Sequence, residues 1–167
     1  MRRQGLCPFR RASMNIQIAS PADTTAIADM AVAFRNHLQR STPTQAQFED
    51  SISRLLAAPD AQFYIATNDG APIGYVLQRF RYSMWACGTE ASIEDLFVDP
   101  SARKMGVGKA LIEFALRAAS THGCSSVCLD TNENNAGSTA IYTQLGFSAM
   151  SARWNGRQIF FRKSLLQ

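Results

Sequence analysis

The stretch IEDLFVDPSARKMGVGKALI, Ile93–Ile112, decides the reading of this chain. Its first residues complete a strand predicted over Ala91–Val98, Asp99–Met105 is a loop, and Gly106 opens a helix predicted to reach Thr121. Leu111, Ile112, Phe114, Ala115 and Leu116 give that helix its apolar side. The first amides of a helix have no partner inside it and carry the positive end of its dipole, so this turn suits a pyrophosphate. Gly106 and Gly108 lack the Cβ atoms that would keep phosphate oxygens away, and Arg103, Lys104 and Lys109 add positive charge. Two familiar phosphate loops do not fit. The G-x4-G-K-[ST] loop needs a hydroxyl where Ala110 stands and a glycine where Arg103 stands, and the dinucleotide fingerprint needs a third glycine in place of Leu111.

Working outward, the N-terminal side begins with a half-buried strand, Asn15–Ala19, and a helix over Ala22–Arg40 introduced by Ser20-Pro21. A second helix covers Gln45–Ala58. The period then changes: Phe63–Thr67 and Ile73–Tyr82 form a hairpin about Asn68-Asp69-Gly70. On the C-terminal side, Ser125–Asp130 is a strand, Ala136–Leu145 a helix, and Phe147–Arg153 and Gln158–Lys163 are strands about an Asn155-Gly156 turn. This order predicts an α+β, sandwich-like domain: a mixed, mostly antiparallel seven-stranded sheet with about four helices. The helix after Val98 is long enough to bridge two parallel strands.

The 167 residues suit one domain, read as 14–167, and 46% hydrophobic with 18% charged residues describes a globular chain. Arg2, Arg3, Arg10 and Arg11 account for the whole net charge of +4, so the remainder is balanced. Residues 1–13 read as a disordered basic extension with no apolar signal core. A nucleic-acid role would rest on those four arginines alone, and no apolar run is long enough for a membrane span. Cys7, Cys87, Cys124 and Cys128 lack ligand spacing, and His37 and His122 lie on separate helices, so no metal is expected. We read the thiols as reduced and the protein as cytoplasmic.

The R-x-x-G-x-G run at Arg103–Gly108, following EDLFV, resembles the coenzyme A signature of the GNAT superfamily of N-acetyltransferases. Asn135-Ala-Gly-Ser-Thr-Ala-Ile-Tyr142 through Gly146-Phe147 is similar to the family's N-x(6)-Y-x(3)-G-F block. The resemblance extends over about Asn15–Lys163, and it implies a sheet splayed at its central parallel pair. IEDLFV looks like the polyamine-acetylating branch in particular. Most members carry glycine where this chain has Lys104.

An amine acceptor must lose a proton and the leaving thiolate must gain one. The resemblance implies Glu94 as base and Tyr142 as acid. Read without it, Glu94 is a solvated strand carboxylate and Tyr142 a packed helix residue. Simple alternation puts Glu94, Leu96 and Val98 on one side of the strand and Ile93, Asp95 and Phe97 on the other. By resemblance, the backbone of Leu96, Phe97 and Val98 lies along the pantetheine arm. Arg103, Lys104, Met105, Gly106, Val107, Gly108 and Lys109 surround the diphosphate, and Asn135 holds the arm or caps its helix. Tyr82, Trp85 and Asp95 are candidates for the acceptor site.

The reading is therefore acetyl transfer from acetyl-CoA to a primary amine of a small molecule in a ternary complex, by a homodimer. The alternatives are protein N-terminal or lysine acetylation, or a non-catalytic coenzyme A sensor. A strongly cationic acceptor calls for an acidic cleft, for which Asp95, Glu90, Glu49 and Asp50 are available.

Overall fold

The computed structural model describes residues 14–151 and 153–165, so the basic extension read over 1–13 lies outside the described residues. The sheet strands are β1 (Met14–Ile18), β2 (Ala61–Asn68), β3 (Ala71–Ser83), β4 (Gly88–Val98) and β5 (Val127–Leu129). The helices are α1 (Thr24–His37), α2 (Gln45–Ala57), α3 (Val107–Thr121) and α4 (Ala136–Gln144), with short 3-10 turns at Pro21–Asp23 and Pro100–Ala102.

Period-two alternation along β2 divides the interior into two layers. Phe63 and Ile65 turn to one face with Tyr75, Leu77 and Phe97, where α1 and α2 pack through Ile27, Met30, Ala31 and Ile52. Tyr64 and Ala66 turn to the other with Val76, against Leu111, Ile112 and Ala115 of α3 and Tyr142 of α4. Leu111 and Ile112 are wholly buried, and each contributes about 1.5–3 kcal/mol of apolar transfer. Thr44 starts α2 with a capping box: its hydroxyl accepts from the Gln47 amide at 3.3 Å while Gln47 Oε1 accepts from the Thr44 amide at 2.8 Å.

Strands β1 to β4 pair antiparallel in chain order, and β5 joins β4 in parallel through α3. The mixed, mainly antiparallel sheet is as expected, but it has five strands among the described residues and not seven. Phe147–Arg153 and Gln158–Lys163 do not form strands. Only the turn between them is recognisable: Met150 and Arg157 make one isolated bridge, and the Gln158 amide donates to the Ala149 carbonyl at 2.8 Å. A ladder persists when its side chains have a face to bury against. Ile159, Phe160 and Phe161 have none and stay exposed.

Candidate active site

The register between β3 and β4 steps from Leu77–Asp95 to Gln78–Ile93, which makes Glu94 an extra residue in β4. This bulge resets the alternation. Ile93 packs on the α3 face with Leu96 and Val98, while Phe97 lies on the α1 face and Asp95 bonds Tyr75 there. The expected grouping of Ile93 with Asp95 and Phe97 is therefore corrected. Simple alternation fails because one unpaired residue inverts the parity of everything beyond it. Gln78, opposite Ile93, is fully buried; it accepts from the Tyr64 hydroxyl at 2.7 Å and donates to the Ala115 carbonyl at 3.2 Å.

The parallel pairing ends where the bulge begins. Strand β5 meets β4 only at Ala91–Val127, Ser92–Cys128 and Ile93–Leu129, and β4 continues alone on that side to Val98. The Asp99 amide donates to the Ile73 carbonyl at 2.9 Å, so Asp99 faces β3. By antiparallel alternation Phe97 and Asp95 do the same, and the backbone of Leu96 and Val98 faces the open edge. Phe97 is a core side chain, 3% exposed, and its backbone faces β3, so neither turns to the open edge.

At the far end of this edge stands the start of α3. Gly106 is its N-cap with φ +83°, a conformation that glycine adopts freely, and it offers no side-chain cap. The amides of Val107, Gly108 and Lys109 have no hydrogen-bond partner among the described residues. A Cβ on Gly108 would meet Ile141 and Val98 only at ordinary contact, 3.6 Å each, so internal packing does not demand glycine there. Lys104 has φ +64°, the left-handed region that glycine prefers. Arg103 Nε reaches back to the Val98 carbonyl at 3.3 Å, tying the loop to the strand end. The bared amides, the glycine cap and the cationic side chains around them fit a diphosphate.

Across the gap, α4 supplies Tyr142, which is 9% exposed and packs edge-on to Phe147 at 6.0 Å. Burial raises its pKa; a hydrogen bond with Ser138 opposes the rise, and the charges of Asp130 and Asp95 add to it. Asn135 caps α4 by accepting from the Ser138 amide at 3.3 Å. Glu94 is exposed on the bulge; the pKa of Arg79 is raised chiefly by the hydrogen bond it donates to Asp60, and the charge of Glu94 adds to the rise. Asp95 is the half-buried carboxylate of the pair. Burial raises its pKa against the pull of the Tyr75 hydroxyl and the Leu96 amide.

The structure thus brings Glu94, Asp95, Leu96, Val98, Tyr142 and the start of α3 to one opening in the sheet. Tyr82 and Trp85 are 75% and 71% exposed near the β3–β4 turn, where the Arg153 guanidinium lies 4.7 Å from the Trp85 ring. Neither lines the pocket that Asp95 shares with α1 and α2. Sequence reading missed Tyr75 and Gln78, because their partners are 14 to 37 residues away. Among the described residues no group of three or more His, Cys, Asp or Glu side chains could hold a metal, and no helix is long and apolar enough to cross a membrane.

The acetyltransferase (GNAT) family model matches residues 24–147. The aminoglycoside N(6')-acetyltransferase type 1 of Salmonella typhimurium strain LT2 is 32% identical over 133 residues, 77% of this chain and 87% of that protein. A peptidyl-lysine N-acetyltransferase of the same organism is 30% identical over 108 residues, 64% of this chain and 63% of that one. Among solved structures, the aminoglycoside N-acetyltransferase AAC(6')-Iy in complex with CoA superposes with a TM-score of 0.75 at 27% identity, covering 95% of this chain and 99% of that one.

Proposed function

The chain belongs to the acetyltransferase (GNAT) family and is an N-acetyltransferase, and from that premise we propose that it moves acetyl from acetyl-coenzyme A to a primary amine of a small molecule. The observation that carries this reading is the gap in the sheet beyond Ile93–Leu129. Among the described residues it leaves one strand edge unpaired and ends at three partnerless helix amides. When bound, acetyl-CoA supplies the activated acyl group. The amides of Val107, Gly108 and Lys109, with Arg103, Lys104 and Lys109 side chains nearby, hold its diphosphate. Leu96 and Val98 align its arm as an added strand would be aligned, and Asn135 borders the arm from α4.

Transfer is by direct attack with both substrates bound. Glu94 takes the proton from the acceptor's ammonium, and Tyr142 gives a proton to the departing sulfur. Burial favours the protonated phenol, the form an acid must have before the step. Asp95 lies in the adjoining pocket, where its carboxylate seats the amine before transfer.

Thiol release from acetyl-CoA, measured against a panel of small primary amines, tests the reading. Saturable release in both substrates, with acetylated amine as product, is expected. Coenzyme A binding with no release against any amine would replace it with a binding module.

A further inference from the structure

The acceptor side of the site carries more information than its carboxylate. Between α1, the connection at 38–44, the start of α2 and strands β3 and β4 lies a pocket of about 140 Å³. Its wall is apolar, with Phe34, Leu38 and Phe48, and its carboxylate is Asp95, held by the Tyr75 hydroxyl. It is also lined by Arg35 and Arg40. We propose that this pocket selects an acceptor that carries an anionic group of its own as well as the reacting amine, together with an apolar body, as an apolar amino acid does. The proposal rests on the acetyltransferase reading and names the substrate class of the same site.

Charge decides the argument. Asp95 is the one acid in the pocket lining, against two guanidinium groups. Arg35 spends Nη1 on the Pro43 carbonyl and Nε and Nη2 on Asn36 Oδ1, at 3.2 and 2.8 Å for the latter two. All of these acceptors are neutral, so its charge is uncompensated. Arg40 makes no side-chain hydrogen bond or ion pair among the described residues.

Of the other acids that sequence reading made available for a cationic cleft, none lines this pocket. Asp50 pairs with Arg54 at 3.0 Å, Glu90 pairs with Arg81 at 3.5 Å, and Glu49 accepts from Gln45 at 3.2 Å. A polycation would meet one carboxylate and two like charges, and like charges close together cost affinity. A carboxylate would find in Arg40 a guanidinium able to bind it through paired N–H groups, with the charge of Arg35 beside it. Size points the same way, since the pocket is smaller than the roughly 300–1,000 Å³ typical for drug-sized ligands.

The test uses the full chain saturated with coenzyme A. Calorimetry compares matched probes: L-phenylalanine with L-phenylalaninamide, 4-(aminomethyl)benzoic acid with benzylamine, and kanamycin as the polycation. At least one acid should bind about tenfold or more tighter than its partner without the carboxylate and tighter than kanamycin. Arg40→Glu, a change at an exposed side chain, should abolish that preference while coenzyme A still binds. Equal affinity within both pairs, no binding of either acid, or tighter kanamycin would overturn the proposal. Loss of coenzyme A binding, or absence of thiol release with every amine, would instead count against the acetyltransferase reading, and the binding comparison decides the pocket's preference without turnover.

Discussion

The hydroxyl of Tyr75 on β3 donates to the carboxylate of Asp95 on β4, although Tyr75 pairs with Phe97 across the ladder and Asp95 with Leu77. This diagonal bond draws the Asp95 carboxylate onto the α1 face, at the wall of the acceptor pocket. The neighbouring bulge residue, Glu94, stays in solvent. Two adjacent carboxylates thereby occupy unlike environments, which is how one short segment can both seat and deprotonate an amine.

Asp95 makes the fold sensitive to pH in a stated direction. Its pKa is raised in the folded state, chiefly by burial, so folding favours the protonated acid. The stability it contributes is fully present below the ordinary aspartate value near 4 and is lost as pH rises through the higher folded-state value. Asp95→Asn, which keeps an oxygen for Tyr75, should match wild type in stability at about pH 3 and exceed it increasingly towards neutrality. Urea denaturation at several pH values reads this directly, and a constant difference across the series would contradict it.

Glu94→Gln should lower kcat/KM by about 10²–10⁴ while leaving coenzyme A affinity unchanged. Tyr142→Phe should lower kcat similarly, and because the ring still packs against Phe147, stability should change by less than about 1 kcal/mol. The pH–rate profile separates the roles. The acidic limb should vanish with Glu94→Gln, and an unaltered profile would remove Glu94 from the mechanism.

How much was legible in advance follows from the range of each interaction. The turn at Gly106–Gly108 and the helix after it are local, and α3 starts at Val107, one residue from its expected position. The bulge at Glu94 is not local, since β4 alone gives no sign of an extra residue against Leu77. The same holds for the pocket: Arg35 and Arg40 reach Asp95's neighbourhood only through the packing of α1 on the sheet. The strands expected after Phe147 have their turn, but among the described residues they keep only the Met150–Arg157 bridge, with their large apolar side chains exposed.

Gly74 closes β3 onto β4 opposite Val98, where a Cβ would lie 2.8 Å from the Phe97 carbonyl oxygen and 3.2 Å from Leu111 Cδ1. Backbone on one side and a filled core on the other leave no cheap relief. Gly74→Ala should cost about 1–3 kcal/mol, read as a lowered denaturation midpoint. An unshifted midpoint would show that the ladder yields at this point.

Lys104 stands in the left-handed region at φ +64°. An L side chain there costs about 1–2 kcal/mol, and glycine's extra freedom in the unfolded chain takes back about 0.4–1 kcal/mol. Lys104→Gly should therefore stabilise the fold by about 0.5–1 kcal/mol. A lower midpoint would mean that the lysine side chain stabilises the loop by more than its backbone strains it.

Amide hydrogen exchange with and without coenzyme A tests the central claim most directly, because it reads the gap and the helix start residue by residue. The amides of Leu96, Val98, Val107, Gly108 and Lys109 should slow together on saturation, while those of the paired β2–β3 ladder should not change. Saturation that leaves these five amides exchanging at their free rate would contradict the account.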